Sequence, residues 1–310
     1  MTDSAYTIRN YRLSDFERHT QLHIEVESLE PPGHYPSPGT LSERLRRPSY
    51  SPEQDLFIVE TAGNIVGCLD ITPEFPLGRV ILDCLVHPEH RRRGLASKLL
   101  GYALSRAKEL GAKVAHARIH PNDVAAESAL IKLGFRFVRH FLEMRLDITQ
   151  LQEKEINRAA RQCRHLQRGE EEKLKEVQNR SFAGTWGYNP NTVEEITYQL
   201  NLSHSSPENA LLAEDGDTVT GYCWTCITSK AEANASERKG QIFMLGVDPD
   251  YRGRGIGKRV LLAGLSHLKS KGLSIAELTV DSQNKEAYAL YQSNGFKVQD
   301  SILWYQKAVG

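Results

Sequence analysis

No apolar run in the chain approaches the roughly 20 residues that a membrane-crossing helix needs, so no spanning helix is expected. The opening residues, MTDSAYTIRN, carry no apolar signal core, and no export leader is expected. Cysteine is scarce: five in 310 residues, at 68, 84, 163, 223 and 226. That odd, scattered set does not make a disulfide framework and fits a reducing compartment, the cytoplasm. An excess of one charge is also missing. Lys plus Arg and Asp plus Glu are each 39, which removes the global attraction that nucleic acid or an anionic membrane would exploit. The one close cysteine pair, Cys223 and Cys226, lies in TVTGYCWTCIT, a strand-like run in which residues three apart face opposite ways. No second pair supplies further ligands, so no metal is expected.

What the chain does contain is a repeat. VHPEHRRRGLASKLLGYALSRAKELG from Val86 aligns without a gap on VDPDYRGRGIGKRVLLAGLSHLKSKG from Val247. Pro88 meets Pro249, Arg91 meets Arg252, Gly94 meets Gly255 and Gly134-Phe135 meets Gly295-Phe296, each pair 161 positions apart. The constant offset marks a duplicated domain. In each copy a short apolar run (Val80 to Val86; Ile242 to Val247) reads as a buried strand ended by a turn at a proline. An Arg/Gly stretch follows, then a helix with an apolar stripe: Leu95, Leu99, Leu100, Leu104 and Leu110 in one copy, Ile256, Val260, Leu261, Leu265 and Leu268 in the other. Gly111 and Gly272 stop these helices. A second strand and a shorter helix complete the unit, and two strands joined by a tight turn precede it. The expected class is α/β with a mixed sheet, in two tandem domains: 1–146 and 163–310, joined by a charged, helix-prone linker at 147–162.

The stretch YRGRGIGKRV (Tyr251 to Val260) poses the functional question. A helix start exposes unpaired N–H groups and the positive end of the helix dipole, and glycines let such groups converge on one anion. Strand, turn and helix together suggest a diphosphate cradle, with a plain solvated basic turn as the alternative. The spacing is neither G-x-x-x-x-G-K-[ST] nor G-x-G-x-x-G, so ATP hydrolysis and dinucleotide binding are not supported.

Entered from a buried strand and opening a helix, R-x-x-G-x-G/A resembles the coenzyme A motif of the GCN5-related N-acetyltransferase (GNAT) family. Copy two matches from Gln241 to Tyr305, including NKEAYALYQSNGF from Asn284, which is similar to the family's N-x-x-A-x-x-L-Y-x-x-x-G-F. Copy one keeps Arg91, Gly94 and Ala96 of the first motif and only Asp123, Ala126 and Gly134-Phe135 of the second. The resemblance implies two GNAT-like acyl-CoA N-acyltransferase domains, acetyl-CoA as donor, and direct attack by the primary amine of a small molecule or peptide. It implies cofactor contacts at Leu245, Gly246, Val247, Arg252, Gly253, Arg254, Gly255, Ile256, Gly257, Lys258 and Asn284. In copy one the matching positions are Leu85, Val86, Arg91, Arg92, Arg93, Gly94, Leu95 and Ala96.

Tyr291 matches the family tyrosine that gives a proton to the departing thiolate. Copy one has Leu130 at that place, so it is expected to bind coenzyme A without efficient transfer. Where some family members have a basic glutamate this chain has Gln241 or Thr279, and the general base stays unassigned; Asp281, Glu277 and Glu214 are candidates acting through water, with a plain surface carboxylate as the alternative for each. NRSFAGTWGYNPNTVEEI resembles the substrate-side loop of two-copy members, which implies an acceptor pocket lined by Phe182, Trp186 and Tyr188. A non-catalytic acyl-CoA-binding module is the alternative function. A nucleic-acid binder using Arg91 to Arg93 and Arg252 to Lys258 fits the neutral charge poorly. A repeat can form its own pseudo-dimer, so a monomer is expected, with a homodimer as the alternative.

Overall fold

The computed structural model describes residues 6–30, 36–227 and 239–310. Among these residues no helix is long and apolar enough to cross a membrane. The chain forms two compact units, Met1–Arg139 with Leu303–Gly310, and His140–Ile302.

The first half runs β1 (Thr7–Asn10), α1 (Phe16–Leu29), α2 (Pro38–Arg44), α3 (Pro52–Asp55), β2 (Leu56–Thr61), β3 (Asn64–Glu74), β4 (Arg79–Val86), α4 (Leu95–Glu109), β5 (Val114–Ile119), α5 (Val124–Lys132) and β6 (Arg136–Asp147). The second half runs α6 (Glu153–Ala160), β7 (Arg164–His165), α7 (Glu171–Phe182), α8 (Val193–Leu200), β8 (Ala210–Asp215), β9 (Thr218–Ile227), β10 (Lys239–Val247), α9 (Ile256–Ser270), β11 (Ile275–Asp281), α10 (Lys285–Ser293) and β12 (Lys297–Ala308).

In the first unit β1 to β4 pair antiparallel in chain order, β5 lies parallel to β4, and Leu303–Ala308 of β12 closes the sheet against β5. In the second, Phe141–Asp147 of β6 pairs with β11, β11 lies parallel to β10, and β9, β8 and β7 follow antiparallel. Each unit therefore ends on a strand drawn from the other half of the sequence. The sequence pattern places the first boundary at 146/147, whereas the compact units divide at 139/140 and 302/303. The difference is this exchange of last strands. The segment 147–162 contains α6, whose Ile156 and Ala159 are buried in the second unit's core.

Both units sandwich a mixed sheet between helices, and the apolar stripes read from the sequence form the cores. Leu95, Leu99 and Leu100 of α4 pack with Val80, Leu82 and Ala115, while Leu22 and Val26 of α1 cover the other face with Ile58 and Cys68. In the second unit Ile256, Val260, Leu261, Leu265 and Leu268 of α9 pack with Ala276, Leu278 and Val280. Tyr222 and Trp224 of β9 face α7 and α8 instead. Cys223 points to the α9 side, and none of the five cysteines is in a disulfide.

A buried charge cluster pins the start of the first unit. Asp15, fully buried, accepts two hydrogen bonds from Arg9 (2.6 and 2.9 Å), one from Arg18 (2.5 Å) and one from the Arg12 amide (2.8 Å). The Arg9 hydrogen bonds, foremost, hold its carboxyl down at about 2. A carboxyl depressed in the folded state stabilises above its unfolded value and loses that contribution as pH falls through the folded one. The first unit is expected to lose about 2 kcal/mol between roughly pH 4 and pH 2, read as faster hydrogen exchange of the β1 to β3 amides. In Asp15→Asn that pH dependence should vanish.

Candidate active site

The site grows from the parting of two parallel strands. β10 pairs with β11 only from Lys239 to Gln241, opposite Ile275 to Glu277; a bulge between Ile242 and Met244 then turns β10 away. Its last residues, Leu245, Gly246 and Val247, run along β9 instead. At Gly246 a side chain is impossible: a Cβ would come within 2.7 Å of both Ser181 Cβ and Tyr222 Cε1. This glycine is therefore required by the close approach of α7.

Beyond Val247 the chain turns through Pro249–Tyr251 into α9. Asp248, buried, accepts from the Asp250 amide (3.0 Å) and from Arg180 (2.5 and 3.0 Å). Gly253 and Gly255 both take the left-handed conformation, each at φ 76°, and nothing lies within 4 Å of where a Cβ would stand. Gly255 begins α9 with no side-chain cap, so the first-turn N–H groups of Ile256, Gly257 and Lys258 face that open space without an intrahelical acceptor. The shorter helix α10 differs: Asn284 caps it by accepting from the Ala287 amide at 3.1 Å. Of these two helix starts the uncapped one is at the Arg/Gly turn, where αL glycines precede it, and an anion-binding end is built in that way.

The basic residues of the turn are less mobile than their sequence suggests. Arg252 donates to the carbonyls of Val247 (3.3 Å) and Ser181 (2.7 Å), clamping the turn to the strand end and to α7. Arg254 donates to the Asp250 carbonyl (3.3 Å) and lies over the Tyr251 ring. Lys258 pairs with Glu155 at 2.8 Å on the surface. The backbone thus shapes the cradle, and Arg252 holds that shape.

Tyr291 of α10 is buried in the same core, edge-on to Phe296 with ring centroids 5.9 Å apart. Burial raises its phenol well above the ordinary range, and the neighbouring Cys223 thiol adds to this. Sequence reasoning overlooked three groups on the other face of the sheet, where α7 packs. The Tyr222 hydroxyl, Ser181 Oγ and Gln178 Oε1 are all buried without a hydrogen-bond partner, and Tyr222 and Ser181 flank Gly246. Buried polar atoms left unpaired call for a ligand or water. The alternation of TGYCWTC could have placed Tyr222 on this face; Ser181 lies in the acceptor-side segment read from the sequence without being set apart there, and nothing local marks Gln178.

The loop after α7 carries the aromatics. Phe182 stacks on Tyr188 (centroids 5.1 Å, planes 24° apart). Tyr188 donates to Asn179 Oδ1 (2.6 Å), which also accepts from the Asn191 amide (2.9 Å), so the loop is tied down. Trp186 stands apart from that pair, against Phe141 of β6 at 5.9 Å. On the same face of β6, two residues on, Glu143 lies opposite Thr279 of β11. The exchanged strand thus brings a carboxylate beside Thr279, and no local pattern could have announced it. Of the carboxylates noted in the sequence, Glu214 is engaged by Arg164 (2.6 Å), Glu277 by Lys239 (3.3 Å), and Asp281 accepts from the Gln283 amide (2.9 Å).

The first unit keeps the same scaffold. β4 and β5 stay paired only to Leu82 and Ala117, so Leu85 and Val86 run free of β5. Arg91 clamps the Val86 carbonyl (2.9 Å) but reaches Glu30 (2.6 and 2.7 Å) instead of a carbonyl. Arg92 occupies a left-handed position (φ 60°) where the second unit has Gly253, and Gly94 (φ 75°) opens α4 without a cap. Arg93 donates to the Glu89 carbonyl; Leu95 is buried and Ala96 follows it in the first turn. Leu130, partly buried, fills the place of Tyr291.

The Acetyltransferase (GNAT) family model matches residues 21–135 and again 172–296. A mycothiol acetyltransferase of Thermobispora bispora is 33% identical over 221 residues, covering 69% of this chain and 71% of the relative. That of Segniliparus rotundus is 29% identical over 258 residues, 81% of this chain and 93% of the relative. Among solved structures, a tandem GNAT protein from the clavulanic acid biosynthesis pathway shares the fold with a TM-score of 0.71 at 15% identity, covering 99% of both chains. A GCN5-related N-acetyltransferase from Sphaerobacter thermophilus does so at 0.68 and 20%, over 98% of this chain and 96% of that one.

Proposed function

From the premise that the chain belongs to the GNAT acetyltransferase family, we propose that it moves the acetyl group of acetyl-CoA to the primary amine of a small molecule, and that the second unit does the work. The chain is an acetyl-CoA-dependent acyltransferase. One observation carries the finer reading: the second unit has both the uncapped αL-glycine turn and Tyr291, while the first has the turn and Leu130.

The residues fit such a donor. Open space over Gly253 and Gly255, free first-turn amides and the orphaned atoms beside Gly246 are what a diphosphate and an amide-bearing arm would use. Acetyl-CoA supplies an activated acetyl group as a thioester. The amides of residues 255–258 would hold its diphosphate, with Arg252 fixing the turn, and Leu245, Gly246 and Val247 would guide the arm along β10. Tyr291 Oη would give up the proton that the leaving sulfur takes. Burial keeps that phenol protonated, and the same burial pushes the Cys223 thiol up. Glu143, acting through water, is the proposed acceptor of the amine proton. Phe182, Tyr188 and Trp186 would line the acceptor side. The proposed compartment is the cytoplasm, and a monomer suffices.

The test is coenzyme A release by the purified chain with acetyl-CoA and a panel of primary amines, the unacetylated form of mycothiol among them because of the relatives' names. Amine-dependent release supports the reading; binding of acetyl-CoA without release for any amine favours a non-catalytic module. With a working amine, Tyr188→Ala is expected to raise the amine KM about tenfold, the loss of one well-packed contact, and to leave the acetyl-CoA KM unchanged.

A further inference from the structure

We propose that His19, His23 and Cys68 of the first unit form a binding site for a zinc-class divalent cation that ties helix α1 to strand β3. His19 and His23 are four residues apart on α1 and so share one helix face, the spacing by which two helical histidines chelate one ion. Cys68 projects from β3 into the same cluster as Leu22 and Val26 of that helix. One nitrogen of each imidazole and the Cys68 sulfur all lie within 4.8 Å of one another.

The two Nε2 atoms are 3.3 Å apart. A tetrahedral ion with metal–nitrogen bonds of about 2.0–2.1 Å sets its nitrogens about 3.3–3.4 Å apart, so the imidazoles already stand at the edge length of such a site. Two imidazoles and a thiol are the borderline-to-soft donor set that selects zinc over magnesium or calcium.

Neighbouring groups define the rest of the coordination. Leu85 lies opposite Cys68 in the β3/β4 register, so Cys84 leaves from the other face of the sheet and cannot be the fourth ligand. Asp70 is occupied by Arg47 (2.9 and 3.2 Å) and Tyr50 (2.8 Å). Three protein donors and one exchangeable water complete the site. It lies in the unit that lacks the tyrosine, and it holds whether or not the transfer reaction is as proposed. The sequence shows the histidine spacing in HTQLH but gives no hint of Cys68, which only the packing of α1 on β3 brings near.

The full-length chain, exposed to Zn²⁺ and then desalted, is expected to retain one equivalent per molecule. Cys68→Ser and His23→Gln are each expected to retain none. Equal zinc in all three proteins, or less than about a tenth of an equivalent on the unaltered chain, overturns the site. A variant that fails to fold is bypassed by Co²⁺ on the unaltered, metal-free chain. The expected spectrum has tetrahedral visible bands and a thiolate-to-cobalt charge-transfer band; an octahedral spectrum without that band overturns the proposal. Stripping the metal should lower the unfolding temperature of the first unit by about 5 °C, and an unchanged temperature contradicts a staple between α1 and β3.

Discussion

Tyr291→Phe is expected to lower kcat for acetyl transfer by about 10²- to 10³-fold, the span of a lost general acid. KM for acetyl-CoA should change little, because the ring that fills the core beside Phe296 and Cys223 remains. Only the hydroxyl goes, so stability should fall by less than about 1 kcal/mol. Without an internal proton donor the leaving thiolate must find its proton in water, and a buried pocket supplies that slowly. Steady-state kinetics across pH 6–9 measure this. Wild-type turnover at every pH would remove Tyr291 from the chemistry and shift attention to the Tyr222 hydroxyl, which is buried and unpartnered on the neighbouring strand.

Gly255→Val should have the second largest effect: a rise of about 10- to 100-fold in KM for acetyl-CoA with a folded protein. The residue sits at φ 76°, where a β-branched side chain costs about 1–2 kcal/mol. No protein atom lies within 4 Å of the new Cβ, so core packing is untouched. The loss falls instead on the space and the amides that the diphosphate would use. An unchanged circular dichroism spectrum beside a raised KM separates the two causes. An unchanged KM would mean that the open helix end holds no ligand.

Much of this site is legible in the sequence because it is local. The αL glycines, the proline-ended strand and the apolar stripe of α9 all lie between Lys239 and Leu268, and local geometry decides each of them. Asn284 and Asp123, which hold matching places in the two copies, each cap the helix they open, at 3.1 and 2.9 Å from the amides they bind. Other features are illegible because their cause is remote. Arg252 looks like mobile charge, yet the carbonyl of Ser181, 71 residues earlier, fixes it. A duplication also makes β6 and β12 equivalent by local pattern, so nothing near either strand says which sheet it closes. That choice hides Glu143, which reaches Thr279 only because β6 pairs with β11. The unpaired Gln178 belongs to no motif, and Ser181 lies in the acceptor-side segment with nothing there to set it apart, so the end of an ordinary amphipathic helix conceals both.

The central claim is that the first-turn amides of α9 grip the diphosphate of acetyl-CoA in the second unit. Hydrogen–deuterium exchange of residues 255–258, with and without saturating acetyl-CoA, tests it at the atoms concerned. The predicted result is slowing of about tenfold or more at these amides, since each would gain an acceptor it now lacks. Exchange that stays the same there while residues 94–97 of the first unit become protected would contradict the account.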